Sequence, residues 1–509
     1  MIRVKAWTCT ASKRRFLTAL IARGAQNRKA MTVSESDTPP PSLYAAREPV
    51  FPRRVKGAFR TLKWWIMAVT LGIYYVTPFI RWDRGPNLPD QAVLIDMAGR
   101  RFFFFMIEIW PHEFYFIAGL LIMAGLGLFL FTSAAGRVWC GYACPQTVWT
   151  DLFILVERWI EGDRNARMRL HRQAWNGEKI RKRAIKWVVW LLIGLATGGA
   201  WVFYFTDAPT LAVDLIRGTA HPIAYMTMAI LTLSTFFFGG FAREQICIYA
   251  CPWPRIQAAM VDEDTLTIGY RDWRGEPRGK ATVEGNGDCI DCMACVNVCP
   301  MGIDIRDGQQ MACITCGLCI DACNDVMDKI GKPRDLIGYL ALTDETRERV
   351  GKPPKSVWQH VFRPRTIMYS VLWSGIGIAL VVALFLRTEI DINVTPVRNP
   401  QYVILSDGAI RNTYDLRLRN KHGEDRWFDF SIASDAPMTA TLEGEPGLRV
   451  LVPANETKTQ KLYLVAAAGS VAATTARTDL RIWIEDEGTE LTPGTDRVHH
   501  DTVFNGKAK

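Results

Sequence analysis

Five apolar stretches stand out from the hydrophobic pattern of this 509-residue chain, and each is close to the 20 residues that a helix needs to cross a bilayer. None has a charged residue in its middle, and tryptophans flank them where aromatic side chains meet a membrane surface. Buried helices of a soluble core are the alternative, which the flanking tryptophans disfavour. The pattern therefore predicts five transmembrane helices, at residues 62–80, 114–131, 187–205, 222–241 and 366–386.

The pattern changes after residue 386, where apolar and polar residues alternate in short runs such as 414–418, 426–430 and 480–484. Alternation at period two, between turns rich in Gly, Pro, Asn and Asp, predicts β-strands. About seven strands in roughly 120 residues are typical of an all-β immunoglobulin-like sandwich. This region contains no cysteine, so the predicted sandwich has no intersheet disulfide.

The net charge of +10 is distributed in a way that indicates membrane topology, and we expect no nucleic-acid partner. The connection 133–183 carries ten Lys or Arg against five acidic residues, whereas the connections 81–113 and 206–220 are balanced or acidic. Because short basic loops stay in the cytoplasm, the amino terminus and the connections 133–183 and 242–365 are predicted to be cytoplasmic. With five spans, the C-terminal region then lies in the periplasm.

These patterns divide the chain into five regions. Residues 1–61 form a basic cytoplasmic tail, 62–241 contain four transmembrane helices, 242–365 are cytoplasmic, 366–386 form the fifth helix, and 387–509 form the periplasmic domain. Residues 1–30 are basic but are followed by no apolar signal-peptide core. An over-extended start, with Met31 as the true initiator, is therefore an alternative to a targeting sequence.

Eight of the thirteen cysteines lie between residues 289 and 323 and carry the strongest chemical signal. They form two runs with the spacing C-x2-C-x2-C-x3-C, which is the ligand pattern of a bacterial-type ferredoxin with two [4Fe–4S] clusters. In that pattern the fourth cysteine of each run serves the other cluster, because three closely spaced thiolates cover only one face of a cubane. The predicted ligand sets are Cys289, Cys292, Cys295 and Cys323 for the first cluster, and Cys313, Cys316, Cys319 and Cys299 for the second cluster. Zinc is the alternative ligand for C-x2-C pairs, but the repetition of the whole four-cysteine run favours clusters. The core of this predicted ferredoxin domain is at 280–330.

A second cysteine motif, C-x-Y-A-C-P, occurs twice at the edge of the membrane region, at 140–145 and 247–252. Two predicted spans separate the copies, so both lie on the same side of the membrane. Proline disfavours a helical conformation at the preceding residue and fits the first position of a new helix, which places Cys144 and Cys251 at helix amino termini. There the helix dipole lowers the pKa of a thiol.

Thiolate pairs in this position suit either disulfide chemistry or a soft metal such as Cu(I). Packing of cysteines as small buried hydrophobic residues is the alternative. The two pairs, Cys140 with Cys144 and Cys247 with Cys251, would form one site if the spans bundle together.

Other redox cofactors have little support in this chain. Only His221, of seven histidines, lies at the edge of a predicted span, so a transmembrane haem with paired histidine ligands is not expected. The chain also lacks a Rossmann glycine pattern and a P-loop, which argues against a built-in nucleotide site.

The chain resembles the CcoG/FixG/RdxA family of accessory proteins for assembly of cbb3-type cytochrome c oxidase. The resemblance extends over most of the sequence and leaves out residues 1–30. Besides the doubled ferredoxin motif, it rests on long specific strings at 43–47, 81–86, 90–93, 136–151, 161–167 and 243–257.

The resemblance implies a multi-pass protein of the bacterial inner membrane with a periplasmic immunoglobulin-like domain, and a role in reducing Cu(II) to Cu(I) for the oxidase copper centre. It also implies that Cys140, Cys144, Cys247 and Cys251 are the family's membrane-edge pairs. We expect an electron to enter one cluster, to pass to its neighbour and to reach transiently bound copper near these pairs. The expected partners are membrane lipid, oxidase assembly factors or copper chaperones, and an electron donor that is either quinol or a soluble reductant.

Two alternatives remain open. In the first, the chain is a quinol-oxidising membrane ferredoxin that feeds a respiratory reductase, and copper plays no part. In the second, it is a non-enzymatic assembly scaffold whose clusters have a structural or sensing role. The sequence does not decide whether the protein forms a homodimer.

Overall fold

A computed structural model describes residues 49–85, 88–387, 390–421, 424–454, 456–487 and 497–507 of the chain. From Val50 onward the chain forms one compact unit. The predictions for residues 1–30, for a start at Met31 and for the string 43–47 lie outside the described residues.

Four helices in the described part of the chain are long and apolar enough to cross a membrane: Pro111–Ala135, Gly177–Tyr204, Pro222–Ala250 and Pro364–Phe385. They correspond to the second to fifth predicted spans. The first predicted span is also helical, as Ala58–Val76 with a 3-10 turn at Thr77–Phe79, but it is not among these four. Its first two turns carry Arg60 and Lys63, which are buried, so its apolar part is short.

Two of the spans are longer than their apolar residues indicate. The third begins at Gly177, ten residues before the predicted start, where the Asn176 side chain accepts a hydrogen bond from the Lys179 N–H. The fourth continues past its predicted end through π-helical turns at Phe238–Ala242 and Ile246–Ala250. The second C-x-Y-A-C-P copy therefore begins inside a helix.

Glycines let the spans approach each other in two pairs. Gly194 of the third span lies close to the Thr232 backbone of the fourth, so that a β-carbon there would be 3.0 Å from the Thr232 carbonyl oxygen. Gly119 of the second span lies against Leu380 of the last span, and Trp373 donates a hydrogen bond to the Met123 carbonyl across the same pair. Close backbone approach at small residues is typical of membrane helix packing.

Shorter helices connect the spans and form part of the cysteine-rich region. They are Val138–Tyr142, Pro145–Ile160, Arg164–Arg172, Ala208–Arg217, Trp253–Met260, Asp272–Gly275, Ala294–Val298, Leu318–Ile330, Leu342–Arg349 and Val357–Val361, with a 3-10 turn at Ile305–Asp307. The 3-10 turns Pro111–Glu113 and Gly199–Tyr204 belong to the second and third spans. The connection between the first two spans also contains a small antiparallel sheet of β1 (Val93–Asp96), β2 (Arg101–Phe104) and β3 (Ile107–Ile109). Our sequence analysis did not predict this sheet.

The cysteine-rich region has the α+β organisation expected of a small ferredoxin. Strands β4 (Thr267–Tyr270) and β5 (Ile337–Leu340) pair antiparallel, with Thr267 opposite Leu340. Between these strands in sequence lie helix Ala294–Val298, which contains Cys295, and helix Leu318–Ile330, which contains Cys319 and Cys323. Cysteines and aliphatic side chains share the core of this region.

The C-terminal region consists of two antiparallel sheets. Its strands are β6 (Ile390–Pro396), β7 (Val403–Ile404), β8 (Ile410–Asn420), β9 (Arg426–Ser434), β10 (Thr439–Leu442), β11 (Arg449–Val452), β12 (Thr457–Ala466), β13 (Arg477–Asp486) and β14 (Arg497–Asn505). One sheet has the order β10-β12-β8-β6, with β7 also paired to β8, and the other has the order β11-β9-β13-β14. Alternate residues of both sheets, such as Leu416 and Ile482, are buried in one common core. A short helix, Val471–Thr474, interrupts the strands.

Candidate redox site

The two ferredoxin-type cysteine runs adopt the same local backbone. In each run the second cysteine is flanked by left-handed residues, Asp291 and Met293 around Cys292, and Thr315 and Gly317 around Cys316. Three of these four residues are not glycine, and left-handed conformations of that kind cost on the order of 1–3 kcal/mol each unless the surroundings enforce them. They curl the chain around a centre in both runs, which is a feature that cysteine spacing alone does not reveal.

A narrow cavity of about 20 Å³ opens between the two runs. Its wall contains Cys299, Cys313, Cys316 and Cys319, which are the four cysteines expected to hold the second cluster, together with Cys295 of the first set. The rest of the wall is aliphatic apart from Met301, which would exclude water from a bound group.

The remaining cysteines form a second group. The Cys323 thiol lies in a helix of the second run, yet it is close to the thiols of the first run. Burial, together with the Cys295, Cys292 and Cys289 thiols, raises its pKa to about 12. Burial together with Cys316 and Cys313 raises the pKa of Cys299 to about 12 in the same way. Each fourth cysteine thus lies among the first three cysteines of the other run.

These surroundings fit two cubane clusters. Buried thiols with raised pKa values bind as thiolates only when a cation replaces the lost protons, and the iron of a cluster supplies that charge. No three Cys, His, Asp or Glu side chains of the described residues converge closely enough to hold a single metal ion.

The first C-x-Y-A-C-P copy forms a short helix, Val138–Tyr142, and then a turn. Cys144 is extended, with φ −60° and ψ 128°, and Pro145 is the first residue of helix Pro145–Ile160. The structure therefore confirms the predicted helix start after Cys144.

In the second copy, Cys247 lies in the π-helical turn Ile246–Ala250, and Cys251 is extended, with φ −77° and ψ 126°. Pro252 precedes the helix Trp253–Met260 as its N-cap residue, one position before the predicted one. In both copies, then, one cysteine is helical and the other lies at a helix amino terminus.

The structure brings the two copies together. The Cys140, Cys144 and Cys251 thiols all lie within electrostatic range of Cys247, so the four membrane-edge cysteines form one group. Cys140 and Cys247 also pack against the same apolar cluster as Cys299 and Cys319 of the ferredoxin region. The membrane-edge cysteines are thus adjacent to the second predicted cluster site.

The Cys140 thiol is partly buried beside Gln257. Burial raises the pKa of this thiol, and the positive charge of Arg137 only partly opposes it. The thiol donates a 3.3 Å hydrogen bond to Gln257 Oε1, and the fully buried Gln257 is held by a bond to Thr132. Cys140 lies inside its helix rather than at the amino terminus, so the helix dipole does not favour its thiolate.

The helix of the first copy is in direct contact with the loop of the second cysteine run. A β-carbon on Gly141 would lie 2.5 Å from the Ile314 carbonyl oxygen and 3.1 Å from the Cys316 α-carbon, so only glycine fits there. Tyr142 donates a 3.0 Å hydrogen bond to the Cys316 carbonyl. The Arg137 guanidinium donates to the carbonyls of Met311 and Cys313.

The arginine before the second copy makes different contacts. Arg243 binds both carboxylate oxygens of Glu157, at 2.6 and 3.1 Å, and Lys186 and Arg167 bind the same carboxylate. Glu157 is buried, which by itself would raise its pKa, but the three cations lower the pKa to about 2. This ion cluster fixes the end of the fourth span to helix Pro145–Ile160.

Sequence reasoning found the cysteines of this site but missed Gly141, Gln257 and Glu157. The glycine within the first C-x-Y-A-C-P copy and the two preceding arginines were visible signals. Their partners are distant in sequence, so the contacts could not be derived from spacing.

Three family models match the chain. A 4Fe–4S dicluster domain matches residues 242–341, a 4Fe–4S binding domain matches 116–163, and the IG-like fold at the C-terminal of FixG, a candidate oxidoreductase, matches 380–507. The second of these segments contains Cys140 and Cys144.

Curated relatives match over most of the chain. Protein RdxB of Cereibacter sphaeroides is 72% identical, covering 93% of this chain and 100% of its own length. Protein RdxA of the same organism is 69% identical, covering 88% and 95%, and nitrogen fixation protein FixG of Rhizobium meliloti is 54% identical, covering 79% and 82%.

The chain belongs to the FixG/RdxA family. It is a membrane-associated iron–sulfur protein with 4Fe–4S domains, an immunoglobulin-like C-terminal domain and four apolar helices of membrane-spanning length among its described residues. The resemblance read from the sequence is confirmed, and the double C-x2-C-x2-C-x3-C region lies inside the dicluster match.

Proposed function

We propose that this protein is a membrane-bound iron–sulfur oxidoreductase that reduces Cu(II) to Cu(I), which serves copper-centre assembly in a cbb3-type oxidase. The observation that carries the proposal is the direct contact between the membrane-edge cysteines and the loop of the second cysteine run. Gly141 and Tyr142 join these two sulfur sites without an intervening layer of protein.

The eight ferredoxin-type cysteines would hold two [4Fe–4S] clusters in the crossed sets described above. When bound, the clusters take up and release single electrons. The protein excludes water with the aliphatic wall of the cavity and places the second set of cysteines next to the membrane-edge thiols.

Copper is the substrate in this proposal. The thiols of Cys140, Cys144, Cys247 and Cys251 would bind it, since soft sulfur ligands favour Cu(I) over Cu(II) and so favour the reduced product. One electron converts each Cu(II) to Cu(I). A quinol donor that loses two electrons and two protons would therefore balance the reduction of two copper ions and leave a quinone.

The proposed arrangement places five spans in the bacterial inner membrane, with Ala58–Phe79 as the first. The basic connection 133–183 and the ferredoxin region would then face the cytoplasm, and the sandwich formed by the two C-terminal sheets would face the periplasm. Arg60 and Lys63 lie at the cytoplasmic end of the first helix in this topology. The sandwich would be the surface that docks oxidase assembly factors or copper chaperones.

The test of the proposal is anaerobic. Purified protein is reduced with dithionite until the clusters give an EPR signal, excess dithionite is removed, and Cu(II) is added in the presence of a Cu(I) chelator. We expect cluster reoxidation and Cu(I) formation to match one for one. Both should be lost in a Cys140→Ser/Cys247→Ser variant that retains its full iron content. Unchanged copper reduction in that variant would contradict a role for these thiols, and reduced clusters that persist beside Cu(II) would contradict copper reduction itself.

A second candidate function, oxidation of quinol for a respiratory reductase, is favoured by a cavity between the spans. This cavity measures about 440 Å³ and is lined mostly by apolar side chains and by the rings of Tyr74, Trp149 and Trp201, with four Thr and Ser hydroxyl side chains. Its wall includes Ala143 and Pro145, the residues on either side of Cys144. An aromatic, lipid-soluble donor would fit such a site, since largely apolar pockets of this size bind small molecules.

Two neighbouring substitutions on the first helix test this cavity. Thr70→Phe would fill it, whereas Val69→Phe adds the same ring at a position that is 56% exposed on the outer face. We expect Thr70→Phe to abolish reduction of the clusters by a short-chain quinol and to leave reduction by dithionite intact. Val69→Phe should behave as the unchanged protein does. Equal rates in both variants would exclude the cavity as the donor site.

A further inference from the structure

The two predicted clusters differ in the origin of the buried cation beside them. Arg306, next to the first cysteine set, belongs to the ferredoxin region and binds Asp291 and Asp304 at 2.6 Å. Its charge partly opposes the rise in pKa that burial causes in the Cys295 thiol. The first cluster site is therefore served by a cation of its own domain.

The cations that act on the second cysteine set lie outside the ferredoxin region: Arg137 acts on Cys313, and Lys63 acts on the buried Cys316. The positive charge that acts on this buried thiol is Lys63, which lies on the first membrane helix, Ala58–Val76. Lys63 is only 3% exposed and forms a 2.9 Å ion pair with Asp151 of helix Pro145–Ile160. Arg60 binds the same carboxylate at 3.3 Å.

Three contacts hold this helix against the second cysteine run. The Asp321 carboxylate, two residues before Cys323, accepts hydrogen bonds from the Phe59 and Arg60 backbone N–H groups and so caps the helix. The Phe59 ring lies over Gly317, where a β-carbon would be 2.6 Å from the ring. These contacts place the first turns of the helix, and with them Lys63, beside Cys316.

We propose that Lys63 sets the reduction potential of the second cluster, with Asp151 holding the lysine in place and partly offsetting its charge. A reduced cluster carries one more negative charge than an oxidised one, so a nearby buried cation stabilises the reduced form. The first membrane helix thereby directs the electron to the cluster that adjoins the membrane-edge thiols. This inference rests on the proposed cluster ligands and is independent of copper.

The test is a potentiometric EPR titration of the full chain with Lys63→Met and Asp151→Asn. Lys63→Met should make the potential of one cluster more negative, by about tenfold in its reduction equilibrium, which for one electron is about 59 mV. Asp151→Asn should shift the same cluster in the opposite direction. Arg306→Gln should lower the potential of the other cluster and thereby identify which signal belongs to which site. Lys56→Met, on an exposed lysine seven residues earlier, is the matched control and should shift neither cluster.

Iron content and integrated EPR intensity are measured for every variant, and they distinguish failure of the cluster assignment from failure of the inference about Lys63. If the unchanged protein holds fewer than two clusters, the cluster assignment fails and the proposed function fails with it. If both clusters are present and Lys63→Met shifts neither or shifts both equally, only this inference is overturned. If Lys63→Met does not load its clusters, Lys63→Arg is measured in its place. A potential of Lys63→Arg close to that of the unchanged protein, together with a less negative potential in Asp151→Asn, supports the proposal. An unchanged potential in Asp151→Asn contradicts it.

Discussion

The two C-x-Y-A-C-P copies have the same signature and a preceding arginine, yet they bind to different parts of the molecule. In the first copy, Arg137 and Tyr142 reach backbone carbonyls of the loop that carries the second cysteine run. In the second copy, Arg243 reaches the buried Glu157 of the connecting helix Pro145–Ile160. The copies also differ in backbone, since the first begins a new five-residue helix and the second continues a span through π-helical turns.

This difference indicates that the two copies have different roles within one group of four thiols. The first copy connects the thiols to the ferredoxin region, and the second connects them to the membrane. Perturbing the second copy should therefore affect mainly stability, whereas perturbing the first should affect mainly electron transfer. Four substitutions, ordered from the largest expected effect to the smallest, examine this distinction.

Glu157→Gln should have the largest effect on stability. It leaves Arg243, Lys186 and Arg167 buried without their shared counter-charge, and breaking a buried ion pair typically costs about 3–5 kcal/mol. We expect a clear fall in the thermal unfolding midpoint in detergent at pH 7. Glu178→Gln, which removes an exposed pair with Lys182, is the control and should change the midpoint little.

The Glu157 effect should also depend on pH. The pKa of Glu157 in the folded protein is about 2, below its ordinary value of 4.5, so its carboxylate stabilises the fold above pH 4.5. That contribution is lost as the pH falls from about 4.5 toward 2. The difference in unfolding midpoint between the unchanged protein and Glu157→Gln should shrink over this interval, and a constant difference would show that Glu157 is not ionised in the fold.

Gly141→Val should have the largest effect on electron transfer. The new side chain would meet the Ile314 carbonyl and the Cys316 backbone, and such overpacking typically costs about 1–3 kcal/mol and shifts the backbone. We expect Cu(I) formation from dithionite-reduced protein to fall by about tenfold or more, since displacement by a fraction of an ångström affects a preorganised site strongly. Gly125→Val, where a β-carbon meets nothing within 4 Å, should leave the rate unchanged.

Arg137→Gln should slow copper reduction while leaving the ion cluster at Glu157 intact. Hydrogen bonds from a charged donor contribute about 1.5–3 kcal/mol, and Arg137 donates to two carbonyls of the cluster loop. The control is Arg217→Gln, at an exposed site on another helix. If Arg137→Gln lowers the unfolding midpoint as much as Glu157→Gln and leaves the copper rate unchanged, the proposed division between the copies is wrong.

Tyr142→Phe should have the smallest effect. It removes one hydrogen bond to the Cys316 carbonyl, worth about 1 kcal/mol, and keeps the ring between the first C-x-Y-A-C-P copy and the loop of the second cysteine run. We expect a small decrease in the unfolding midpoint and a copper rate within about twofold of the unchanged protein. A complete loss of copper reduction would instead assign the hydroxyl itself a role in electron or proton transfer.

The helices and the cysteine motifs could be predicted, because each is determined by residues that are close together in sequence. The spacing of Cys289 to Cys323 identifies the ferredoxin region, four apolar runs identify helices, and Pro145 marks a helix start. The start of the long helix at Gly177 was harder to predict, because its first turns are basic and lie outside the apolar run. In the first predicted span, Arg60 and Lys63 occupy the first turns of the helix, so its apolar part is shorter than the predicted span.

The contacts between regions could not be predicted. The approach of Gly141 to Ile314, the capping of the first helix by Asp321 and the gathering of three cations around Glu157 all join residues far apart in the chain. The raised pKa of Cys140 could not be predicted for the same reason, because its burial arises from Gln257 and from the ferredoxin core rather than from its own motif.

The central claim is that copper is reduced while it is held by the membrane-edge thiols. The most direct measurement is copper K-edge X-ray absorption of the reduced protein after addition of one equivalent of Cu(II) under anaerobic conditions. We predict an edge characteristic of Cu(I) and a coordination shell of sulfur alone, which Cys140→Ser/Cys247→Ser loses while its iron content is unchanged. A shell of nitrogen and oxygen ligands, or copper that remains Cu(II) beside reduced clusters, would contradict the account.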